Sequence, residues 1–139
     1  MHFTIHADGG SRGNPGPAGA GAMIRDEAGS PVASVSQFLG TNTNNFAEYE
    51  AVILALETVA KIVGNKISAT TIAVKMDSEL VVKQANGVYK VKHPMMKAQY
   101  ARLAPLAARF ASTTFTHIPR ALNADADALA NEAMDRGAK

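Results

Sequence analysis

Positions 8–17 read DGGSRGNPGP, and this stretch decides how the start of the chain folds. Its glycines and prolines disfavour both helix and strand, so the sequence predicts a loop here. Residues 2–7, directly before it, alternate between apolar and polar side chains and predict a strand. Asp8 therefore follows the end of a strand, and Gly9 and Gly10 after it would let a bulky ligand approach the main chain closely.

Working outward from this loop, periodic patterns predict three leading strands and then an alternation of helices with strands. The predicted strands are residues 2–7, 18–25, 31–39, 71–76 and 112–118, and the predicted helices are about 44–63, 78–84, 95–110 and 123–136. The short link at 26–31 is typical of a hairpin turn. An antiparallel start followed by strand–helix alternation favours an α/β fold with a mixed sheet, whose ligand sites gather near the carboxyl ends of strands.

The composition narrows the class of protein. The 139 residues suit a single domain spanning 1–139, and 47% of them are hydrophobic, which is enough for a core. The net charge of +2 is compatible with a polyanionic partner without demonstrating one. The chain has no cysteine, so any metal would need oxygen or imidazole ligands. The sequence shows no secretory signal and no stretch long enough to span a membrane, so we expect a soluble cytoplasmic protein without a membrane partner.

Three acidic residues stand at positions where an ordinary structural role competes with ligand binding. Asp8 is either a turn residue before two glycines or a metal ligand at the edge of the sheet. Glu48, three residues after Asn45, resembles the second half of a capping box, and the helix dipole also favours an acid there. Asp77 follows an apolar strand and precedes Ser78, so it either helps to begin a helix or binds a ligand.

Asp125 and Asp127 lie two residues apart, early in the last predicted helix, and point to nearly opposite sides of it. The helical pattern alone does not choose between them. Taken jointly, carboxylates at strand ends and in first helical turns would repel one another unless a cation neutralised them. Hard divalent cations such as Mg²⁺ prefer oxygen ligands, and such a site suits two-metal cleavage of a phosphodiester. Glu50 falls among polar helix positions, and we expect it to be solvated.

Four blocks of sequence, in order along residues 2 to about 135, resemble the type 1 ribonuclease H family. They are DGGSRGNPGP followed by AGAG at 8–21, TNNFAEYEA at 43–51, DSELV at 77–81, and HIPR at 117–120 with N at 123 and DALAN at 127–131. The first and second blocks are each quite specific. The resemblance implies the ribonuclease H-like fold, a five-stranded mixed β-sheet flanked by α-helices, and endonucleolytic hydrolysis of the RNA strand of RNA–DNA hybrids.

The resemblance also implies a catalytic, metal-binding set on this chain: Asp8, Glu48, Asp77 and Asp127. It chooses Asp127 because the family's acid stands four residues after the asparagine and two before the leucine, which leaves Asp125 as a surface residue. Two Mg²⁺ ions, or Mn²⁺ as a substitute, would be bound. Asp8 would bridge both ions, and Asp127 would help to hold the one that activates water. Glu48 and Asp77 would help to hold the ion at the leaving 3′ oxygen, so the products would carry 5′-phosphate and 3′-hydroxyl ends.

Residues beside the carboxylates are implied to contact the hybrid. This substrate-binding set is Gly9, Gly10, Ser11, Asn14, Thr43 and Asn44. Exposed main chain at 9–11, Asn44 and Glu48 would meet the 2′-hydroxyls of the RNA strand. Asn14, Thr43 and Asn44 would hold a phosphate of the DNA strand, although a turn or cap role would also explain the asparagines. Such contacts read backbone shape, so cleavage should be nearly independent of sequence. Many family members use a helper histidine before the last helix; His117 is the nearest one here, and Arg120 lies closer to the expected position of this auxiliary catalytic group.

The chain also departs from the family pattern, and rival functions stay open. It has no tryptophan and its 86–97 stretch is short and only modestly basic, so we expect it to lack the full basic protrusion of some members and to bind hybrids weakly and in a salt-sensitive way. The rivals are another nuclease of the ribonuclease H-like superfamily and a non-catalytic hybrid-binding module. We expect a monomer. The sequence leaves open whether the chain is a whole protein or an N-terminal domain with a fused C-terminal domain.

Overall fold

The side-chain alternation that predicts the first strand also builds the core. In the computed structural model, which describes residues 1–137, Phe3, Ile5 and Ala7 are buried on one face of that strand. The strands are β1 (His2–Ser11), β2 (Gly16–Arg25), β3 (Pro31–Asn42), β4 (Thr71–Met76) and β5 (Ser112–His117). The α-helices are α1 (Asn44–Val63), α2 (Glu79–Ala85), α3 (Pro94–Ala107) and α4 (Ala124–Gly137), and short 3₁₀ helices lie at Gly64–Ala69 and Arg120–Leu122.

The strands form one sheet in the order β3-β2-β1-β4-β5. β1 pairs antiparallel with β2, and β2 with β3, which follows it through a tight turn where Gly29 adopts a φ of 81°. β4 lies parallel to β1 on the other side, and β5 lies parallel to β4. The predicted five-stranded mixed sheet is therefore confirmed, and the carboxyl ends of β1, β4 and β5 meet at the same edge.

The glycines at positions 9 and 10 belong to a strand rather than to a loop. Pairing of β1 with β2 continues as far as Ser11, so the predicted loop is confined to residues 12–15. The prediction was wrong because glycine serves close packing here. A methyl group on Gly9 would overlap the main chain of α1 at Ala47.

Helices cover both faces of the sheet. α1 packs on the face that carries the buried side chains of β1, and α3 packs against α1. α4 covers the opposite face over β2 and β3. α4 can lie this close to β2 because residue 21 of that strand is a glycine. A methyl group at Gly21 would overlap the main chain of Ala126 and Ala130. The first turns of α1 and α4 consequently reach the edge of the sheet where β1 and β4 end.

The third helix ends earlier than its sequence pattern predicts. α3 continues through Pro105 and ends at Ala107 rather than near residue 110. Pro105 lies in the last turn, so the hydrogen-bond donor that it lacks weakens only the end of the helix. Within residues 1–137, none of the helices has both the length and the hydrophobicity that crossing a bilayer requires.

Candidate active site

Two of the predicted carboxylates come from neighbouring parallel strands. β1 and β4 are paired through Ala7 and Met76. The next residues along each segment, Asp8 and Asp77, therefore lie side by side at the edge of the sheet. Asp8 still belongs to β1, and its Oδ1 accepts the amide hydrogen of Gly9 at 3.0 Å.

Glu48 reaches the same edge from the start of α1 because another residue caps that helix. The N-cap is Thr43, whose hydroxyl accepts the amide hydrogen of Phe46 at 3.1 Å. The predicted capping box between Asn45 and Glu48 is therefore wrong. The Glu48 carboxylate is left to face a cavity, and the Ser78 hydroxyl lies near enough to favour its ionised form.

The last helix separates the two acids between which its pattern could not choose. Asp127 borders the cavity and its side chain is 34% exposed. The Asp125 side chain is 59% exposed and forms an ion pair with Arg25 at 2.5 Å. Two residues turn a helix by about 200°, so the two carboxylates leave α4 on different sides. The structure brings Asp127 to the other acids and leaves Asp125 at the surface, as the family pattern implies.

These four carboxylates border one open cavity of about 520 Å³. Its walls come from the end of β1, the first turns of α1, the end of β4 and one side of α4. The lining residues are Asp8, Gly9, Gly10, Ser11, Arg12, Asn44, Asn45, Glu48, Asp77, Arg120, Asp127, Ala130, Asn131 and Met134. The acids singled out from the sequence therefore meet in space, although they are far apart along the chain.

Burial and mutual repulsion make this cavity favourable for a cation. Burial, then the nearby carboxylate of Asp77 and a hydrogen bond shared with Asp127, raise the pKa of Asp8 to about 8. Burial likewise raises the pKa of Glu48 to about 7, against the lowering effect of the Ser78 hydroxyl. Shifts in this direction mean that negative charges are held close together with too little solvent around them. A bound divalent cation would relieve that repulsion.

The donor set fits a hard divalent cation. All four acids offer oxygen, the ligand that Mg²⁺ and Mn²⁺ prefer. In the part of the chain that the structure describes, no three histidine, cysteine, aspartate or glutamate side chains are grouped closely enough to form a ready-made cage for an ion. Mg²⁺ in proteins keeps several waters and uses one or two carboxylates together with substrate phosphates.

The raised pKa values predict how the stability of the metal-free protein depends on pH. Asp8 and Glu48 keep their protons to a higher pH in the folded state than in the unfolded chain, where carboxyl groups titrate near about 4. The folded state thus binds more protons between about pH 4 and 8, and its stability falls as the pH rises through that window. We expect Asp8→Asn to raise the melting temperature by on the order of 5 °C at about pH 8.5 and by little at about pH 4.5.

Thermal unfolding in chelator-containing buffers across this range measures the effect. Asp125→Asn, on the exposed side of α4, is the control and should follow the wild type. Added Mg²⁺ should stabilise the wild type more than Asp8→Asn, because the variant lacks a ligand. Parallel curves for wild type and Asp8→Asn at every pH would contradict the crowded acidic cluster.

The main chain that is implied to contact substrate lies along one wall of the cavity. Of the predicted substrate-binding set, the residues that border the cavity are Gly9, Gly10, Ser11 and Asn44. The Asn44 side-chain oxygen accepts the amide hydrogen of Ser11 at 2.7 Å and so ties the end of β1 to the start of α1. Asn14 and Thr43 lie outside the lining. Asn14 Oδ1 accepts the amide hydrogen of Asn44 at 3.0 Å, and the Thr43 hydroxyl is used as the cap of α1.

Of the two candidate helper residues, Arg120 borders the cavity and His117 does not. The Arg120 side chain is 80% exposed, and its guanidinium lies 3.7 Å from the Asp127 carboxylate. His117 is exposed at the end of β5. An exposed guanidinium beside an acidic cavity can bind a phosphate that enters the cavity. The structure therefore favours Arg120 over His117 for that role.

Two polar residues of the site were not predicted as site residues. Ser78 follows Asp77 directly, and its hydroxyl contacts Glu48. Asn123 is 1% exposed, and its side-chain nitrogen donates to the main-chain oxygen of Ala7 at 2.9 Å and to Asp77 at 3.0 Å. Its place immediately before α4 was visible in the sequence. The contacts themselves join distant parts of the chain, so no local pattern indicates them.

The segment between α2 and α3 has no helix of its own. It comprises residues 86–93 and exposes Val88 and Tyr89. The Nζ of Lys83 lies 5.0 Å from the centroid of the Tyr89 ring. The expectation that the chain lacks the full basic protrusion of some family members concerns this segment, which runs without a helix from α2 to α3.

Comparison with known proteins finds relatives along nearly the whole chain. Residues 6–133 match the family model described as reverse transcriptase-like. The bifunctional protein Rv2228c of Mycobacterium tuberculosis is 46% identical over 140 aligned residues, which cover 100% of this chain and 37% of that protein. Ribonuclease HI of Halobacterium salinarum is 42% identical over 133 residues, covering 94% of this chain and 64% of that protein. The chain thus spans less than two thirds of the length of either relative.

Solved structures match over the full set of strands and helices. LC11-RNase H1, isolated from compost by a metagenomic approach, superimposes with a TM-score of 0.93 at 47% identity, and 99% of each chain is covered. The structure of LC11-RNase H1 in complex with RNA/DNA hybrid gives a TM-score of 0.93 at 46% identity, again with 99% of each chain covered.

Proposed function

Because this chain belongs to the type 1 ribonuclease H family, we propose that it hydrolyses the RNA strand of RNA–DNA hybrids endonucleolytically. One observation carries the proposal: the carboxylates of Asp8, Glu48, Asp77 and Asp127 converge on a single cavity that is bordered by main chain of β1. The relative that is 46% identical over 99% of both chains has been solved with an RNA/DNA hybrid bound. That likeness supports the same substrate class for this chain.

The four carboxylates would hold the divalent ions between them. Asp8 has Asp77, Asp127 and Glu48 as neighbours, so its carboxylate would take part in holding each ion. Asp127 would complete one ion's ligands, and Glu48 and Asp77 would complete the other's. Two Mg²⁺ ions, with Mn²⁺ as a substitute, would activate the attacking water and stabilise the leaving 3′ oxygen, giving 5′-phosphate and 3′-hydroxyl ends.

The chain's own groups would position the hybrid and select for ribose. The Ser11 hydroxyl donates to Asn44 Oδ1 at 3.1 Å, in addition to the main-chain bond between the same residues. The wall at 9–11 is therefore a fixed strand, and fixed main chain is suited to reading the 2′-hydroxyls of RNA. Contacts of this kind read backbone shape, which supports cleavage with little dependence on base sequence.

Residues next to that wall would hold phosphates. Asn14 accepts a hydrogen bond from the main chain of Asn44, and Thr43 directly precedes Asn44 as the cap of α1, and we place a phosphate of the DNA strand there. Arg120 would act as an auxiliary group whose guanidinium binds the cleaved phosphate at the exposed side of the cavity. All four acids come from one chain, so no second copy is needed to complete the site, which supports a monomer.

A panel of end-labelled substrates separates this function from its rivals. The panel holds RNA–DNA hybrid, duplex RNA, duplex DNA and duplex DNA with a single embedded ribonucleotide. We expect cleavage of the hybrid only, dependent on added Mg²⁺ or Mn²⁺, with a 5′-phosphate on the downstream fragment. Asp77→Asn should abolish most of the cleavage because it removes one of the converging charges.

Each rival gives a different result on the same panel. A wild-type protein that binds the hybrid but leaves it intact in either metal would be a binding module. Cleavage of duplex DNA at a rate similar to hybrid would indicate another nuclease of the same superfamily. Unchanged cleavage by Asp77→Asn would contradict the catalytic assignment of the four acids.

A further inference from the structure

Asn123 lies behind the carboxylates, at the junction of the elements that carry three of them. Its side-chain nitrogen donates to the main-chain oxygen of Ala7, next to the first acid of the site, and to Asp77 Oδ1. Its main-chain oxygen accepts the amide hydrogen of Asp127 at 3.0 Å, at the start of α4. One buried residue therefore contacts the end of β1, the acid that follows β4 and the first turn of α4.

The orientation of this carboxamide follows from the chemistry of its partners. The oxygens of Ala7 and Asp77 are both acceptors, so only the NH₂ group can face them, and its two hydrogens match the two partners. Oδ1 is then turned away, and it has no hydrogen-bond partner among the residues that the structure describes. A buried acceptor without a partner costs folding free energy, so the fold alone does not account for an amide at this place.

We propose that Asn123 is a positioning residue for cation binding and acts through Asp77. An unsupported Asp77 side chain would turn away from the neighbouring carboxylates, which repel it. The hydrogen bond from Asn123 holds one of its oxygens at a fixed place beside β1 and leaves the second available for a cation. Polar groups that hold a ligating carboxylate in this way contribute substantially to metal affinity. The inference rests on the proposed function only in taking the carboxylates to bind a divalent ion.

Titration of the free protein with Mn²⁺ by calorimetry tests this directly, and hybrid-cleavage kinetics give a second readout. Asn123→Ala removes the donor, and Asn123→Leu removes it while keeping a side chain of similar shape. We expect both variants to bind Mn²⁺ at least about tenfold more weakly and to lower kcat by about 10- to 100-fold, with KM for hybrid within about twofold. A residue that only supported the fold would not lower kcat while leaving KM nearly unchanged.

Thr70→Val is the matched control. Thr70 is fully buried, and its hydroxyl donates to the main-chain oxygen of Lys66 at 2.8 Å. It precedes β4, at the opposite end of that strand from Asp77. Like the Asn123 variants it loses a buried hydrogen bond and should melt at a lower temperature, but it should bind Mn²⁺ and turn over hybrid as the wild type does.

The outcomes separate this inference from the proposed function. Asn123 variants that melt earlier, as Thr70→Val does, yet bind Mn²⁺ like the wild type would overturn it and make Asn123 a residue of the fold only. A wild type that does not bind Mn²⁺ would overturn it as well. A wild type that binds Mn²⁺ without cleaving hybrid would contradict the proposed function, and the Mn²⁺ comparison among variants would still decide the role of Asn123. Should Asn123→Ala fail to fold, Asn123→Leu supplies the same comparison.

Discussion

Asp127→Asn is expected to slow hybrid cleavage by at least about a hundredfold, whereas Asp125→Asn should leave the rate within about twofold. Asp127 borders the cavity beside Asp8, and its proximity helps to raise the pKa of Asp8. Asparagine keeps the shape of the side chain but removes the charge that a cation needs. Initial rates with saturating hybrid at one fixed Mg²⁺ concentration measure both variants.

The two substitutions control for each other. Both acids lie in the first turn of α4, so each substitution removes a similar favourable interaction with the helix dipole. Asp125 additionally loses its exposed ion pair with Arg25, and such pairs contribute only about 0–1 kcal/mol. Equal losses of activity in both variants would point to a disturbed α4 instead of a lost ligand. A loss confined to Asp125→Asn would contradict the assignment of the site.

Elements whose signals are local were predicted well. β4 was predicted at its observed bounds, because a six-residue run made up mostly of apolar and β-branched side chains is enough to indicate a buried strand. α1 ends where Gly64 adopts a φ of 56°, as the glycine predicted. In both cases the deciding information lies within a few residues of the element itself.

Predictions failed where a partner from elsewhere in the chain decides the structure. Glu50 was expected to be solvated, but its side chain is only 12% exposed and pairs with Arg102 at 2.5 Å. It also accepts a hydrogen bond from Gln99 at 2.9 Å. Both partners belong to α3, roughly fifty positions later in the chain, so the helical pattern of α1 alone could not indicate them.

In the acidic site, too, local signals were predicted and contacts between distant parts of the chain were not. Each of the four carboxylates stood out in its own motif, but their convergence depends on β1 and β4 being neighbours in the sheet, which no local pattern states. The choice of Asp127 over Asp125 came from family resemblance, since helical periodicity left it open. Asn123 was not predicted because its side-chain partners stand 116 and 46 residues away.

Gly9→Ala is expected to destabilise the protein by about 3 kcal/mol or more and to lower its melting temperature by roughly 10 °C. A methyl group at this position would overlap the main chain of Ala47 and Glu48. Main chain inside a helix cannot rotate aside as a flexible side chain can, so α1 must move away from β1. That movement would separate Glu48 from Asp8, and hybrid cleavage should therefore fall together with stability.

Gly10→Ala, one residue further along the same strand, is the control for stability. Its methyl group would point to the opposite face of the sheet, where the nearest atoms are Met134 Cε at 3.5 Å and Asn44 Oδ1 at 3.9 Å. Neither glycine has a positive φ, so alanine adds no backbone strain at either position. We expect the melting temperature of Gly10→Ala to lie within about 2 °C of the wild type, because the unfolded chain also loses some conformational freedom.

Equal destabilisation by both variants would mean that strand flexibility is what these glycines provide. An unchanged melting temperature for Gly9→Ala would mean that α1 can move off β1 at no cost, and the spacing of Asp8 and Glu48 would then have to be set by other contacts.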